Sequence, residues 1–169
     1  MEVSDVFADA FSRVQEEVHA VLDGLSQEDL DARPGPAANS IGWLVWHIAR
    51  VQDDHVADVA GREQTWTGDG WHDRFALPLE PRDIGYGHTN EQVEQVSGIK
   101  AGELRAYYDA VHEATLGYIA TLAAADLDRI VDTRWDPAVT LGVRLVSVVN
   151  DNQQHTGQAM YVRGLLESR

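Results

Sequence analysis

Apolar residues recur at steps of three and four along four separate stretches of this chain, and that period restricts the fold more than any single motif does. The first stretch runs from Asp5 to Leu25 behind a Ser4 cap, with Phe7, Phe11, Val14, Val18, Val21, Leu22 and Leu25 on one stripe. The second follows Asn39-Ser40, carries Ile41, Leu44, Val45, Ile48, Val51 and Val59, and stops near Gly61. The third covers Lys100 to Leu122 and the fourth Thr140 to Leu166. Four long helices without a strand-rich partner imply an all-α four-helix bundle, here with a long Gly-, Pro- and aromatic-rich loop between the second and third helices. A loop of that length in a small domain is usually functional or mobile.

A faint repeat accompanies the period. Leu25-x-x-x-Asp29-Leu30-Asp31 after the first helix recurs as Leu122-x-x-x-Asp126-Leu127-Asp128 after the third, and each copy leads to a similar helix start, Ser40-Ile41-Gly42 or Thr140-Leu141-Gly142. The expected design is two helical hairpins in one domain spanning residues 1–169. A short extended stretch is expected within Asp126–Trp135.

Composition narrows the partners. A formal charge of −15 with no Lys/Arg cluster argues against nucleic acid and against anionic membranes. No apolar run approaches the ~18 residues of a membrane span, and the N-terminus lacks a signal-peptide pattern, so a cytoplasmic location is expected. With no cysteine in the chain, His, Asp and Glu are the only strong side-chain ligands for a metal.

The chemistry concentrates in the fourth helix. Leu141, Leu145, Val148, Ala159, Val162 and Leu166 define its buried stripe, and Asp151 and His155 fall inside that stripe or on its edge. A buried carboxylate needs a partner. One reading is local: Asp151 and His155 pair at i, i+4, with Arg144 two turns earlier on the same side. The other needs a third ligand from the second helix, where His47 and His55 lie eight residues and so about 12 Å apart, too far for both to share one ion. Trp43 and Trp46 flank His47 as packing or as a pocket wall. His72 and His88 are expected to be solvated in the loop, His19 and His112 on helix surfaces, and Arg163 is placed to favour a helix C-terminus.

Asn39-Ser40-Ile41-Gly42-Trp43-Leu44-Val45-Trp46-His47-Ile48-Ala49-Arg50, with Asp151-x-x-x-His155-x-Gly157-Gln158-x-x-Tyr161-x-Arg163-Gly164-Leu165, resembles the DinB-like superfamily of metal-binding four-helix bundles over nearly the whole chain. The resemblance implies a divalent ion on His47, Asp151 and His155, zinc first, with nickel, iron or manganese as alternatives. Most members carry His where this chain has Asp151; the mycothiol-dependent maleylpyruvate isomerase branch has a carboxylate there, as Glu. The resemblance further implies a transferase or isomerase that uses a low-molecular-weight thiol such as mycothiol and a small electrophile, acting as a homodimer. Two neutral imidazoles and one carboxylate leave such an ion a net positive charge and an open position, in which a thiol ionises at neutral pH. The rivals are a metal-dependent hydrolase and a non-catalytic dimerisation or stress-response module.

Overall fold

Each periodic stretch is a long helix in the computed structural model, which describes residues 2–168. They are α1 (Val3–Leu22), α3 (Ile41–Ala60), α7 (Ala101–Ile119) and α8 (Leu141–Glu167). The connections hold the short helices α2 (Gln27–Asp31), α4 (Thr65–Gly68), α5 (Trp71–Phe75) and α6 (Asn90–Gln95), a 3-10 turn (Ala124–Asp128) and one hairpin, β1 (Ile130–Asp132) with β2 (Val139–Thr140). The hairpin contains the extended stretch expected from the sequence.

Caps set the boundaries. The Ser40 hydroxyl accepts from the Trp43 N–H and the Thr140 hydroxyl from the Val143 N–H, so α3 and α8 start one residue later by the same device. Gly61, left-handed at φ 65°, ends α3. The start of α1 differs from expectation: Ser4 lies inside the helix, and Glu2 is the cap, its N–H donating to the Asp5 carboxylate at 2.8 Å. At the other end Arg163 reaches across from α8 and donates to the carbonyls of Ala20, Val21 and Asp23. It therefore serves the C-terminus of α1 rather than that of its own helix.

The contacting pairs are α1 with α7 and α8, and α3 with α7 and α8. α1 and α3, and likewise α7 and α8, thus sit across the bundle's diagonals, and the two-hairpin arrangement is corrected. The connectors after α1 and α7 are long enough to cross the bundle end, each carrying one short helical turn. The sequence repeat is instead a packing repeat. A Cβ on Gly42 would lie 3.1 Å from the Leu30 carbonyl oxygen, and one on Gly142 would lie 3.3 Å from the Leu127 Cβ. Each short turn presses on the first turn of the next long helix where only glycine gives the space.

α3 is the centre of the molecule. Every residue from Ile41 to Asp53 is buried, which a helix packed on one side cannot achieve. The segment between α3 and α7 covers its outer face. Arg50, fully buried, donates to the carbonyls of Pro81 and Asp83 and to the Gln64 side chain, and its guanidinium lies 4.9 Å from the Trp66 ring. Asp53, also fully buried, accepts from the backbone N–H groups of Thr65 and Trp66 and from the Tyr107 hydroxyl. These bonds satisfy two charges that would otherwise be costly to bury, and in doing so they clamp the long segment to α3. A neutral layer fixes the helices on the other side: Gln52 accepts from Tyr108 of α7 and Asn152 of α8, and donates to Thr115.

Candidate metal centre

Where α3 and α8 face each other, His47, Asp151 and His155 converge. One ligand atom from each lies within 4.8 Å of the other two, the His47 Nε2 standing 3.9 Å from the Asp151 Oδ2. The donors of a tetrahedral ion at ~2.1 Å are spaced about 3.4 Å apart, so small side-chain rotations close the set. His47 is buried; Asp151 and His155 are half-buried. His55, two turns further along α3, is outside the cluster.

Both imidazoles are prepared as ligands. The Nδ1 of His47 bonds the Ile84 carbonyl and the Nδ1 of His155 bonds the Asp151 carbonyl at 3.1 Å. A carbonyl only accepts, so each Nδ1 carries the proton and each Nε2 keeps its lone pair. Burial also holds the His47 pKa down, to about 4, which keeps that ring neutral at physiological pH. Trp43 stacks on His47 with ring centroids 4.7 Å apart and planes inclined by 16°, limiting its rotation.

The carboxylate is the member that lacks something. Asp151 Oδ2 is buried with no hydrogen-bond partner among the described residues. The local alternative offered His155 or Arg144 as that partner, but His155 Nδ1 bonds the Asp151 backbone carbonyl, and Arg144 turns away, donating to the Asp132 carboxylate at 3.2 Å and to His55 Nδ1 at 3.1 Å. An orphaned carboxylate oxygen beside two imidazole lone pairs is a costly arrangement without a cation, so the residues fit a divalent ion. Two nitrogens and one oxygen suit zinc, and suit nickel, iron or manganese less selectively.

The middle of the α8 stripe is taken by neighbours of the expected residues. Asn152 and Thr156 are fully buried, so Asp151 and His155 sit on the stripe's edge, one step round the helix. That offset places both side chains at the half-buried edge of the α3–α8 contact. The cluster borders a cavity of about 400 Å³ to which His47, Asp151, Ile84, Tyr86, Arg134, Trp135 and Arg144 contribute.

Several side chains fall elsewhere than expected. His88 is not solvated: its side chain is 3 % exposed, its Nδ1 accepts from Trp43 Nε1 at 3.1 Å, and its Nε2 donates to Asp83 at 2.8 Å. Asp83 also accepts from the Gly85 N–H. With Arg50 holding Pro81 and Asp83, and His47 holding Ile84, residues 81–88 form a strap across the back of the centre. Periodicity cannot show this, because the partners of the strap are backbone atoms of a segment without regular structure; only its glycines hint at a close approach. His112 is buried against Tyr108, since its position on α7 turns toward the bundle rather than outward. His72 is half-buried beside the Trp66 ring, and His19 pairs with Asp109 at the partly exposed α1–α7 seam.

The fold is shared with known proteins. A crystal structure described as a conserved protein from Enterococcus faecalis superposes with a TM-score of 0.93 at 29% identity, covering 100% of this chain and 99% of that one. Among curated proteins no match is found. The DinB superfamily model matches residues 10–159, which span α3, the strap and the α8 pair, and the chain belongs to the DinB superfamily.

Proposed function

We propose that this protein is a metal-dependent enzyme that transfers a low-molecular-weight thiol to a small electrophile, with His47, Asp151 and His155 holding the divalent ion, zinc first. The observation that carries the proposal is the orphaned Asp151 oxygen facing two imidazoles whose Nδ1 protons are already committed, at the edge of a cavity open to small molecules. When bound, the ion supplies Lewis acidity that lowers a thiol pKa toward neutrality.

The chain's own residues do the rest. His47 is fixed by the Ile84 carbonyl and the Trp43 stack, so it presents one nitrogen in one direction. The strap holds His47 from behind, and its Ile84 and Tyr86 line the cavity that borders the centre. Asp151 adds one negative charge, so an ion held here keeps a net charge of about +1 with which to favour an anionic ligand. The chain has no cysteine, and a nucleophilic sulfur must come from a cosubstrate. Mycothiol is the first thiol to test because the superfamily branch with a carboxylate at the Asp151 position uses it. The homodimer implied by the resemblance belongs to the same proposal, and light scattering of the purified protein tests it.

The deciding experiment measures metal content and activity together. Untagged protein prepared without chelator should carry about one ion per chain, and His155→Ala should lose most of it while His55→Ala keeps it. The loaded protein should accelerate conjugation of mycothiol to a bimane electrophile, lose that activity on chelation and regain it on adding zinc. Turnover that persists after verified removal of the metal overturns the proposal. Loaded protein that conjugates no thiol but hydrolyses esters replaces it with the hydrolase.

A further inference from the structure

The cavity beside the metal centre is lined unevenly, and the unevenness is informative. At its far end from His47, α8 contributes Arg144 and the β1–β2 hairpin contributes Asp132 and Arg134. Asp132, whose side chain is 5 % exposed, takes bonds from both guanidiniums: Nε and Nη2 of Arg134 at 3.0 and 2.8 Å, and Nη2 of Arg144 at 3.2 Å. At this end one carboxylate thus serves two guanidiniums, and the other carboxylate lining the cavity, Asp151, stands at the metal end. Each guanidinium has five N–H donors, and these bonds use a minority of them.

His55 adds a further donor. Its Nδ1 lies 3.1 Å from Arg144 Nη1, and a guanidinium can only donate, so Nδ1 accepts and the proton sits on Nε2. Burial and Arg144 together hold its pKa down, which keeps the ring neutral and Nε2 a donor. This end of the cavity therefore presents donors from three side chains; Asp132 is already engaged, and Asp54, which lines the neighbouring cavity, lies 3.7 Å from His55 Nδ1. In a chain of net charge −15, two guanidiniums are gathered at this end of the cavity. Arg144 itself is nearly buried, at 12 % side-chain exposure, so its charge is screened less than a surface arginine's. The same cavity is also lined by the apolar residues Val51, Val139, Val148 and Trp135. The adjoining cavity of about 580 Å³ shares Arg134 and Arg144 but mixes Arg62 and Arg82 with Asp54, Asp58 and Glu63, so it shows no such preference.

We infer that this cavity is a subsite for a small monocarboxylate with an apolar body, its carboxylate on Arg144 and Arg134 and its other end directed at the metal centre. Arg144 and Asp151 are seven residues apart on α8, a rise of about 10 Å, and the arginine side chain shortens that span. A ligand of that size fits the volume of the cavity. The inference deepens the proposed function, because it rests on that reading for what reacts at the metal end, yet carboxylate binding itself needs no metal.

Calorimetric titration of metal-free and zinc-loaded protein with 3-phenylpropionate, and with 3-phenylpropionamide as its neutral counterpart, tests it. The carboxylate should bind both forms, at least tenfold tighter than the amide, and less tightly as salt is raised. Arg144→Met should weaken carboxylate binding tenfold or more and leave amide binding and zinc content unchanged; Arg134→Met should act in the same direction on an exposed side chain whose loss does not threaten folding. Arg82→Met should bind as the parent does. Equal affinity for carboxylate and amide, or unchanged carboxylate binding in both Arg144→Met and Arg134→Met, overturns the subsite. If zinc occupies the centre and the carboxylate still shows no preference, the subsite falls and the metal-dependent function stands. If the carboxylate binds as described and zinc does not, the reverse holds.

Discussion

Replacing Gly85 by alanine tests the strap that holds His47. Gly85 has φ 89°, and a Cβ built on it lies 2.7 Å from His47 Nδ1, 3.0 Å from a Trp43 ring carbon and 3.1 Å from one of Trp46. Two costs follow. A non-glycine residue at that φ carries roughly 1–3 kcal/mol of backbone strain. The close contact must also be relieved by moving either the strap or the imidazole, and both moves break the His47–Ile84 bond, leaving a buried donor or acceptor unpaired at about 1–3 kcal/mol. The loss of stability is therefore about 2–6 kcal/mol. Gly87→Ala supplies the control, because Gly87 also has positive φ, 71°, but nothing lies within 4 Å of its Cβ, so that variant carries the strain alone. Urea denaturation of metal-free protein measures the stabilities, and competition with a chelator measures zinc affinity. Releasing the Nδ1 partner of a ligand should weaken zinc about 10- to 100-fold in Gly85→Ala and leave it unchanged in Gly87→Ala. Equal destabilisation of the two variants, with zinc affinity intact in both, would show that the strap does not position His47.

Three further outcomes are expected. The His47 pKa is lowered from 6.5 to about 4, so between those values the unfolded chain takes up a proton that the folded chain does not; stability is full above pH 6.5, falls as pH drops toward 4, and the loss reaches about 3 kcal/mol. Thermal denaturation of metal-free protein from pH 7 to 4 should show this slope, and His47→Gln should remove His47's part of it. Asp151→Asn should weaken zinc binding yet leave the metal-free protein as stable as the parent or more so, because it removes the charge from a half-buried carboxylate whose Oδ2 is buried without a partner; a destabilised metal-free Asp151→Asn would mean the carboxylate has a structural partner. Arg50→Met should cost about 3–5 kcal/mol, measured by urea denaturation, since it leaves the Asp53 charge buried beside freed carbonyls, and a loss below 1 kcal/mol would refute the clamp.

The four long helices were legible because each carries its own apolar period, reinforced in α3 and α8 by a Ser or Thr cap and in α3 by a terminating glycine. These are local interactions, readable within a turn or two of chain. The start of α1 was misplaced because Ser4 and Asp5 both offer capping oxygens, and the choice between them depends on geometry that composition does not express. The three converging residues were legible only through the family resemblance. The period of α8 alone could not separate a paired Asp151 and His155 from a metal-binding pair, and the deciding fact, that Arg144 bonds His55 and Asp132 instead, belongs to the packing of α8 on α3 and the hairpin.

What the sequence by itself determined is the set of helices, their inward faces and the class of donor atoms, since each depends on the spacing of residues along one element. Which helix faces which was decided only in three dimensions, because the connectors after α1 and α7 are long enough for either a hairpin or a diagonal crossing, and the choice lies in the sum of many weak contacts. The strap was decided there too. His88, Asp83 and Gly85 have no periodic signal, yet the buried faces of Arg50, Trp43 and His47 leave polar groups that must be satisfied, and residues 81–88 are where the folded chain supplies the partners.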